Sequence, residues 1–257
     1  MNYWVKRNLQ AQRNLTDKSI EEAEAQLSRY YARTMEKVIG QFESIYNKLF
    51  SSISEGKQPT PADLYKLDTY WQMQRQLQEE LRKLGNAQAV MLGKRFSQEF
   101  MDVYESLAIP GVAAFSTIDA AAAEQMINQI WCADGLSWSQ RIWNNTELLQ
   151  EALNANLIEC VVAGRKPTEL KNLLQEQFNV SYNRADALVR TEMAHIQTQA
   201  AQQRYTDYGI KEVEVWASKD ERRCEHCGKL HQKRYPIGAH MPIPAHPNCR
   251  CSIIPVV

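Results

Sequence analysis

Cys224-Glu225-His226-Cys227 and, after a basic stretch carrying Pro236, Pro242 and Pro244, His246-Pro247-Asn248-Cys249-Arg250-Cys251 hold four of the six cysteines of this 257-residue chain. Two thiolates at CxxC spacing face one ion across a tight turn, and His-x-x-Cys closes a tetrahedral site from a second turn, as structural zinc requires. Cys249 and Cys251 lie two apart, so in an extended segment both point to one side. The expected ligand set is therefore Cys224, Cys227, His246 and Cys249, with Cys251 as the alternate. A closed Cys/His site leaves no position for water, so such an ion builds a fold and does not hydrolyse. The competing reading is two disulfides, or reduced cysteines in a small core. Cys132 and Cys160 stand alone in apolar helical contexts and read as plain core residues.

Working outward, the segment before the knuckle changes period. Val213, Val215 and Ala217 alternate with Glu212, Glu214 and Trp216, which predicts a strand, and Ile253 and Ile254 supply its partner. Upstream the composition favours long helices, with only 10 glycines in the chain. Ser19 and Glu22 form a capping-box pattern, and Leu27, Tyr31, Met35, Val38, Phe42, Ile45 and Leu49 recur at helical steps. A break is expected from Ser54 to Pro61. A second helix carries Leu64, Leu67, Trp71, Leu77, Leu81 and Leu84 and stops before Gly85-Asn86, and the two form an antiparallel hairpin. A third helix covers about Ala87 to Leu107, with Ile109-Pro110-Gly111 at its end. Ser116-Thr117 and an Ala-rich turn lead to Met126, Ile127 and Ile130. Three further helices are expected at about Ser139 to Ala163, Pro167 to Gln177 and Ser181 to Tyr208, the last break falling at Phe178-Asn179-Val180. The fold class is mainly α: a long helical hairpin and bundle with a small C-terminal β element stapled by a Cys/His zinc site. The boundary between regions is placed at 1–115 and 116–257, with the knuckle at 216–255.

The charges bound the function. The 30 basic and 30 acidic residues balance, which excludes a protein whose whole surface is a nucleic-acid clamp. No apolar run approaches the roughly 20 residues that span a bilayer. Met1-Asn-Tyr-Trp-Val-Lys-Arg lacks a secretory core, so the chain is expected to fold in a reducing cytoplasm, which favours metal over disulfide. From Lys219 to Val257 seven basic residues face three acidic ones. Arg222, Arg223, Lys229, Lys233, Arg234 and Arg250 are accordingly the candidates for non-sequence-specific contact with double-stranded DNA.

A series of landmarks is shared with a known family. Gly164 precedes a helix. Ala185, Ala187 and Arg190-Thr191-Glu192 open a long one running through Ala194, Ala200 and Tyr205 to Gly209. Trp216, Asp220-Glu-Arg-Arg-Cys224-Glu-His-Cys227, Leu230, Pro244 and the His246 to Cys251 stretch follow. Over roughly residues 135 to 255 this resembles the phage minor head protein family typified by the Mu F protein, the head morphogenesis family. The resemblance implies that 116–257 is the Mu F-like domain of a low-copy virion component. Such a protein sits inside the phage head after assembly in the host cytoplasm, with the portal protein and capsid or scaffold components as partners. Some family members are thought to contact DNA and influence its delivery. The resemblance falls on Arg190 and Glu192, which point away from each other on a helix, so they are expected to tie that helix to the zinc element through Asp220 or Arg223.

Other residues take plainer roles. His195 and Gln199 form an i, i+4 pair on a helix face. His226, His231 and His240 surround the cysteines, with His240 the substitute for His246. Trp131, Trp138, Trp143 and Trp216 are spaced for core packing. The alternative function is a metal-dependent HNH-like nuclease with His240 or His246 as base, which needs an open metal position or a polarised His. A DNA-binding regulator fits less well, for want of a compact basic reading head. No catalytic residue is assigned, and the chain is read as a non-enzyme.

Overall fold

The computed structural model describes residues 3–53, 60, 62, 65–66, 68–109, 118–217 and 223–256. Among the described residues the α-helices in chain order are α1 Tyr3–Ile53, α2 Asp68–Ser106, α3 Ala120–Ile127, α4 Trp138–Val162 and α5 Pro167–Asp207. Strand β1 Glu212–Trp216, the short helix α6 Glu225–Leu230, β2 Arg234–Pro236 and β3 Ser252–Pro255 follow. The architecture is mainly α with a small C-terminal sheet beside the Cys/His cluster. No described helix is long and apolar enough to cross a membrane.

Three expected breaks are absent. Helix α1 runs through Ser19 from Tyr3, and the Ser19 hydroxyl donates to Glu99 Oε2 at 2.5 Å instead of capping a helix. Helix α2 passes through Gly85-Asn86, where the glycine makes room for the Trp143 ring, 2.6 Å from where a Cβ would stand. Helix α5 passes through Phe178-Asn179-Val180, where Phe178 is fully buried and its packing overrides local propensity. The Ala-rich turn is a helix, α3. Ser54 to Pro61 apart from Thr60, together with Leu64, Leu67, Pro110, Gly111, Ser116 and Thr117, lies outside the described residues.

The chain forms two compact units. The second comprises Ala25–Val90 and Ser139–Asp186. Its core takes Leu27, Tyr31, Val38 and Phe42 from the predicted stripe of α1, Leu77, Leu81 and Leu84 from α2, and Leu153 and Leu157 from α4. Trp71, expected in the α2 stripe, is half exposed, its indole N–H donating to the Tyr65 carbonyl at 2.8 Å. Asn145 Nδ2 donates to the Ser181 carbonyl at 2.9 Å and to Tyr31 Oη at 3.1 Å, joining α4, α5 and α1. Tyr46 donates to the Cys160 carbonyl at 2.9 Å, and burial pushes its phenol up to about 12. Cys160 is buried as expected.

The first unit comprises Met1–Glu24, Met91–Trp138 and Ala187–Val257, and it holds the sheet. The strand order is β2-β1-β3, all antiparallel, with Val213 opposite Tyr235 and Val215 opposite Ile253. Strand β2 went unpredicted because its three residues, ending in Pro236, are too few to show a period. Leu9, Trp216 and Ile254 cluster, with Val5 against them.

A buried polar network ties α1 and α5 to β3. Gln197 Nε2 donates to Gln12 Oε1 at 3.0 Å and to Ser252 Oγ at 2.8 Å, and Gln12 Nε2 donates to the Ile253 carbonyl at 3.2 Å. Thr16 Oγ1 stands 2.5 Å from Glu99 Oε1 and 3.1 Å from Gln197 Oε1. One hydroxyl proton cannot serve both acceptors. When Glu99 is charged it accepts from Thr16; when it carries a proton it can donate to Thr16, freeing the Thr16 proton for Gln197. Burial holds the Glu99 carboxyl above the usual range, opposed by the Ser19 and Thr16 hydroxyls and reinforced by the negative charges of Asp102 and Asp17.

Candidate metal centre

Cys224 is the N-cap of α6, with extended backbone (φ −70, ψ 161), and its sulfur accepts the Cys227 N–H at 3.3 Å. That single turn of helix makes CxxC a knuckle. It sets the first sulfur on a donor while the second is buried at 2 % exposure. The second turn is His246-Pro247-Asn248-Cys249, closed by the Cys249 N–H to the His246 carbonyl at 3.2 Å. Pro247 supplies the fixed φ of the first central position, and Asn248 sits at φ +62 in the second, as a type II turn demands.

The two turns bring their donors together. Cys227 Sγ lies 3.2 Å from His246 Nε2 and 3.8 Å from Cys249 Sγ. A tetrahedral ion with sulfur bonds of about 2.3 Å separates two sulfurs by about 3.8 Å, whereas a disulfide needs about 2.05 Å. All six cysteines lie among the described residues and none is in a disulfide. The donors form two sets sharing Cys227: Cys224, Cys227 and His246, and Cys227, Cys249 and Cys251, with the atoms of each set within 4.8 Å of one another. The expected ligands and the alternate are thus clustered, and the donor chemistry fits zinc.

The electrostatics divide the sulfurs into two pairs. Cys249 is held down to about 5, first by the Cys251 thiol donating to it and then, against burial, by the Ala245 and Cys251 N–H groups. Cys224 is lowered, first by the Cys227 N–H. Cys227 is pushed up to about 12 by burial and by the nearby Cys249 charge. Cys251 is raised, chiefly because its proton is given to Cys249. Burial draws His246 down, but the Pro247 carbonyl and the charges of Cys249 and Cys224 outweigh it and raise it. One sulfur from each turn is therefore shifted toward the thiolate, the form a metal takes, Cys249 the further of the two.

Around this centre the Arg190-Thr191-Glu192 triplet reaches three different elements. Arg190 pairs with Glu24 on α1. Glu192, almost wholly buried, accepts the Trp131 indole N–H at 3.0 Å. Thr191, which sequence reasoning did not single out, accepts the Asn248 N–H at 3.3 Å and so is the member that touches the His246–Cys249 turn. Asp220 and Arg222 lie outside the described residues. His195 stacks on Trp131 with ring centres 4.2 Å apart. His231 accepts the Ala217 N–H at 3.3 Å, and His226 and His240 are exposed.

Arg223, Lys229, Lys233, Arg234 and Arg250 are exposed. Lys229 pairs with Glu225 at 2.7 Å, Arg234 with Glu214 at 3.6 Å and Arg250 with Asp17 at 3.2 Å. The turn borders a cleft of about 940 Å³ that contains the Arg250–Asp17 and Arg190–Glu24 pairs, so its charge is balanced.

The stretch from within α4 to β3 thus contains the helix triplet, both Cys/His turns and the sheet. Residues 151–254 match the family of phage Mu protein F like proteins. The match takes in every donor of the cluster together with Thr191. No curated protein and no solved structure matches the chain.

Proposed function

We propose that this chain is a head morphogenesis protein of a tailed phage or prophage, a minor capsid component that joins the portal vertex during head assembly. The match over residues 151–254 carries the reading, since it spans the triplet, both turns and the sheet as one block. Its partners are the portal protein and capsid or scaffold components. Its place is the virion interior, after assembly in the host cytoplasm. Zinc held by Cys224, Cys227, His246 and Cys249 fastens the sheet's connections and is structural. Two donor sets made only of sulfur and imidazole support a closed site, in which no position is left for a hydrolytic water. The protein is read as a non-enzyme on that basis. Contact with packaged DNA through Arg223, Lys233 and the neighbouring basic residues is a secondary role, and the acidic partners of Lys229, Arg234 and Arg250 weaken it.

Co-expression with the portal and major capsid proteins of a phage or prophage that encodes this chain tests the proposal. The chain is expected to sediment with portal-containing assemblies, and the Cys224→Ser and Cys249→Ser variants to do so less. A chain that never sediments with portal or capsid, while remaining folded, refutes the assignment. Metal content is an independent measurement. One zinc per chain, lost in both variants, is expected, and a metal-free parent refutes the zinc reading alone.

A further inference from the structure

An imidazole binds metal through whichever nitrogen lacks the proton, and that is decided by the partner of the other nitrogen. His246 Nδ1 lies 2.8 Å from the Pro247 carbonyl oxygen, which can only accept. A proton is therefore on Nδ1, so the neutral ring carries its lone pair on Nε2, 3.2 Å from Cys227 Sγ. The tautomer depends on where the Pro247 carbonyl points.

That carbonyl belongs to the peptide joining Pro247 to Asn248, the middle peptide of the turn. In a type II turn this peptide is flipped relative to type I, and the flip is what places φ of the next residue at a positive value, here +62 at Asn248. The N–H of the same peptide takes no part in closing the turn, which is done by Cys249 and His246. It is instead received by Thr191 Oγ1 at 3.3 Å. The Thr191 hydroxyl has no freedom to turn away, because its own proton is given to the Ala187 carbonyl at 2.6 Å, leaving lone pairs for Asn248. Oxygen and N–H of one rigid peptide plane are thus held at opposite ends, by His246 and by Thr191.

We infer that Thr191 is a positioning residue for the metal centre, one that orients the Pro247–Asn248 peptide so that His246 offers Nε2 to the ion. This rests on the zinc reading above and extends it outward by two hydrogen bonds. It also accounts for the middle residue of the triplet: an apolar residue there would keep the helix but leave the peptide without its acceptor.

The test uses the full chain purified with zinc, alongside Thr191→Val, Thr191→Ser and Thr191→Ala. Zinc affinity is read by competition with a chromophoric chelator, and the His246 ring state by long-range proton–nitrogen correlation, with helix content by circular dichroism as the folding control. Outer-shell partners of metal ligands contribute about 10–100-fold in affinity. Thr191→Val and Thr191→Ala should both lose affinity in that range, and the His246 nitrogens should depart from the Nδ1–H, Nε2–metal pattern. Thr191→Ser, which keeps the hydroxyl, should match the parent. Two outcomes overturn the inference: a parent and Thr191→Val alike in affinity and ring state, or Thr191→Ser as impaired as Thr191→Val. A parent that binds no zinc would instead remove the metal reading, and this inference with it.

Discussion

Two glycines inside long helices make opposite predictions for one substitution. In a helix interior Gly→Ala gains about 1 kcal/mol from backbone entropy alone. At Gly40, in α1, a Cβ would meet nothing within 4 Å, so Gly40→Ala should gain that full amount. At Gly85 a Cβ would stand 2.6 Å from Cζ3 of Trp143 and 3.0 Å from both Cε3 and Cη2. Carbon atoms rest at about 3.5–4.0 Å, so the ring must withdraw by roughly 1 Å. Overpacking of that kind costs about 1–3 kcal/mol, which exceeds the propensity gain. The net effect of Gly85→Ala should be a loss of about 1 kcal/mol. Urea melts followed by circular dichroism at 222 nm measure both variants against the parent. Adding Trp143→Leu provides the decisive comparison, since Gly85→Ala made in that background should stabilise as Gly40→Ala does. If Gly85→Ala and Gly40→Ala stabilise the intact protein equally, the claim that α2 keeps a glycine to seat Trp143 is wrong.

Other outcomes follow from the first unit. The folded pKa of Glu99 is raised, so the native state binds more protons than the unfolded one, and stability should fall as pH rises from the usual carboxylate range through the folded value. Glu99→Gln should remove that slope and be more stable than the parent at pH 8 in urea melts; parallel pH profiles would contradict a buried, protonated Glu99. Gln197→Ala leaves Gln12 and Ser252 without their partner and should cost about 1–3 kcal/mol by the same assay; a change near zero would mean water replaces the amide freely. Chelation of zinc should speed hydrogen exchange at β1 and β3 while the 25–90 helices stay protected; unchanged protection of the strands would mean that the sheet stands without metal.

The legible parts of the sequence were those with short-range chemistry. CxxC and HPNC announce turns, and the clustering of their sulfur and imidazole groups, by spacing alone, and the alternation from Val213 to Ala217 announces β1. The stripe from Leu27 to Phe42 is local in the same sense. What stayed hidden depends on residues far apart in the chain. Gly85 reads as a stop signal until Trp143 is seen against it. Ser19 reads as a cap until Glu99 arrives from another helix. Phe178-Asn179-Val180 reads as a break because its β propensity is visible and the burial of Phe178 is not. Thr191 offers no signal of its own, since a threonine in a helix is commonplace. Its role exists only once Asn248 adopts a left-handed φ opposite it.

The bond from Gln12 to the Ile253 carbonyl spans 241 positions. A ribosome adds about 5–20 residues per second, so roughly 10–50 s separate the making of its two ends. For most of that interval Leu9 has neither Trp216 nor Ile254 beside it, and Gln12 lacks Gln197 and Tyr205 of α5 until they are made and Ile253 of β3 until the end. Vectorial synthesis therefore leaves the first unit waiting on residues made late, the two Cys/His turns among them. A nascent chain halted before residue 253 carries an unfinished first unit with exposed apolar groups, the kind of surface chaperones and proteases recognise.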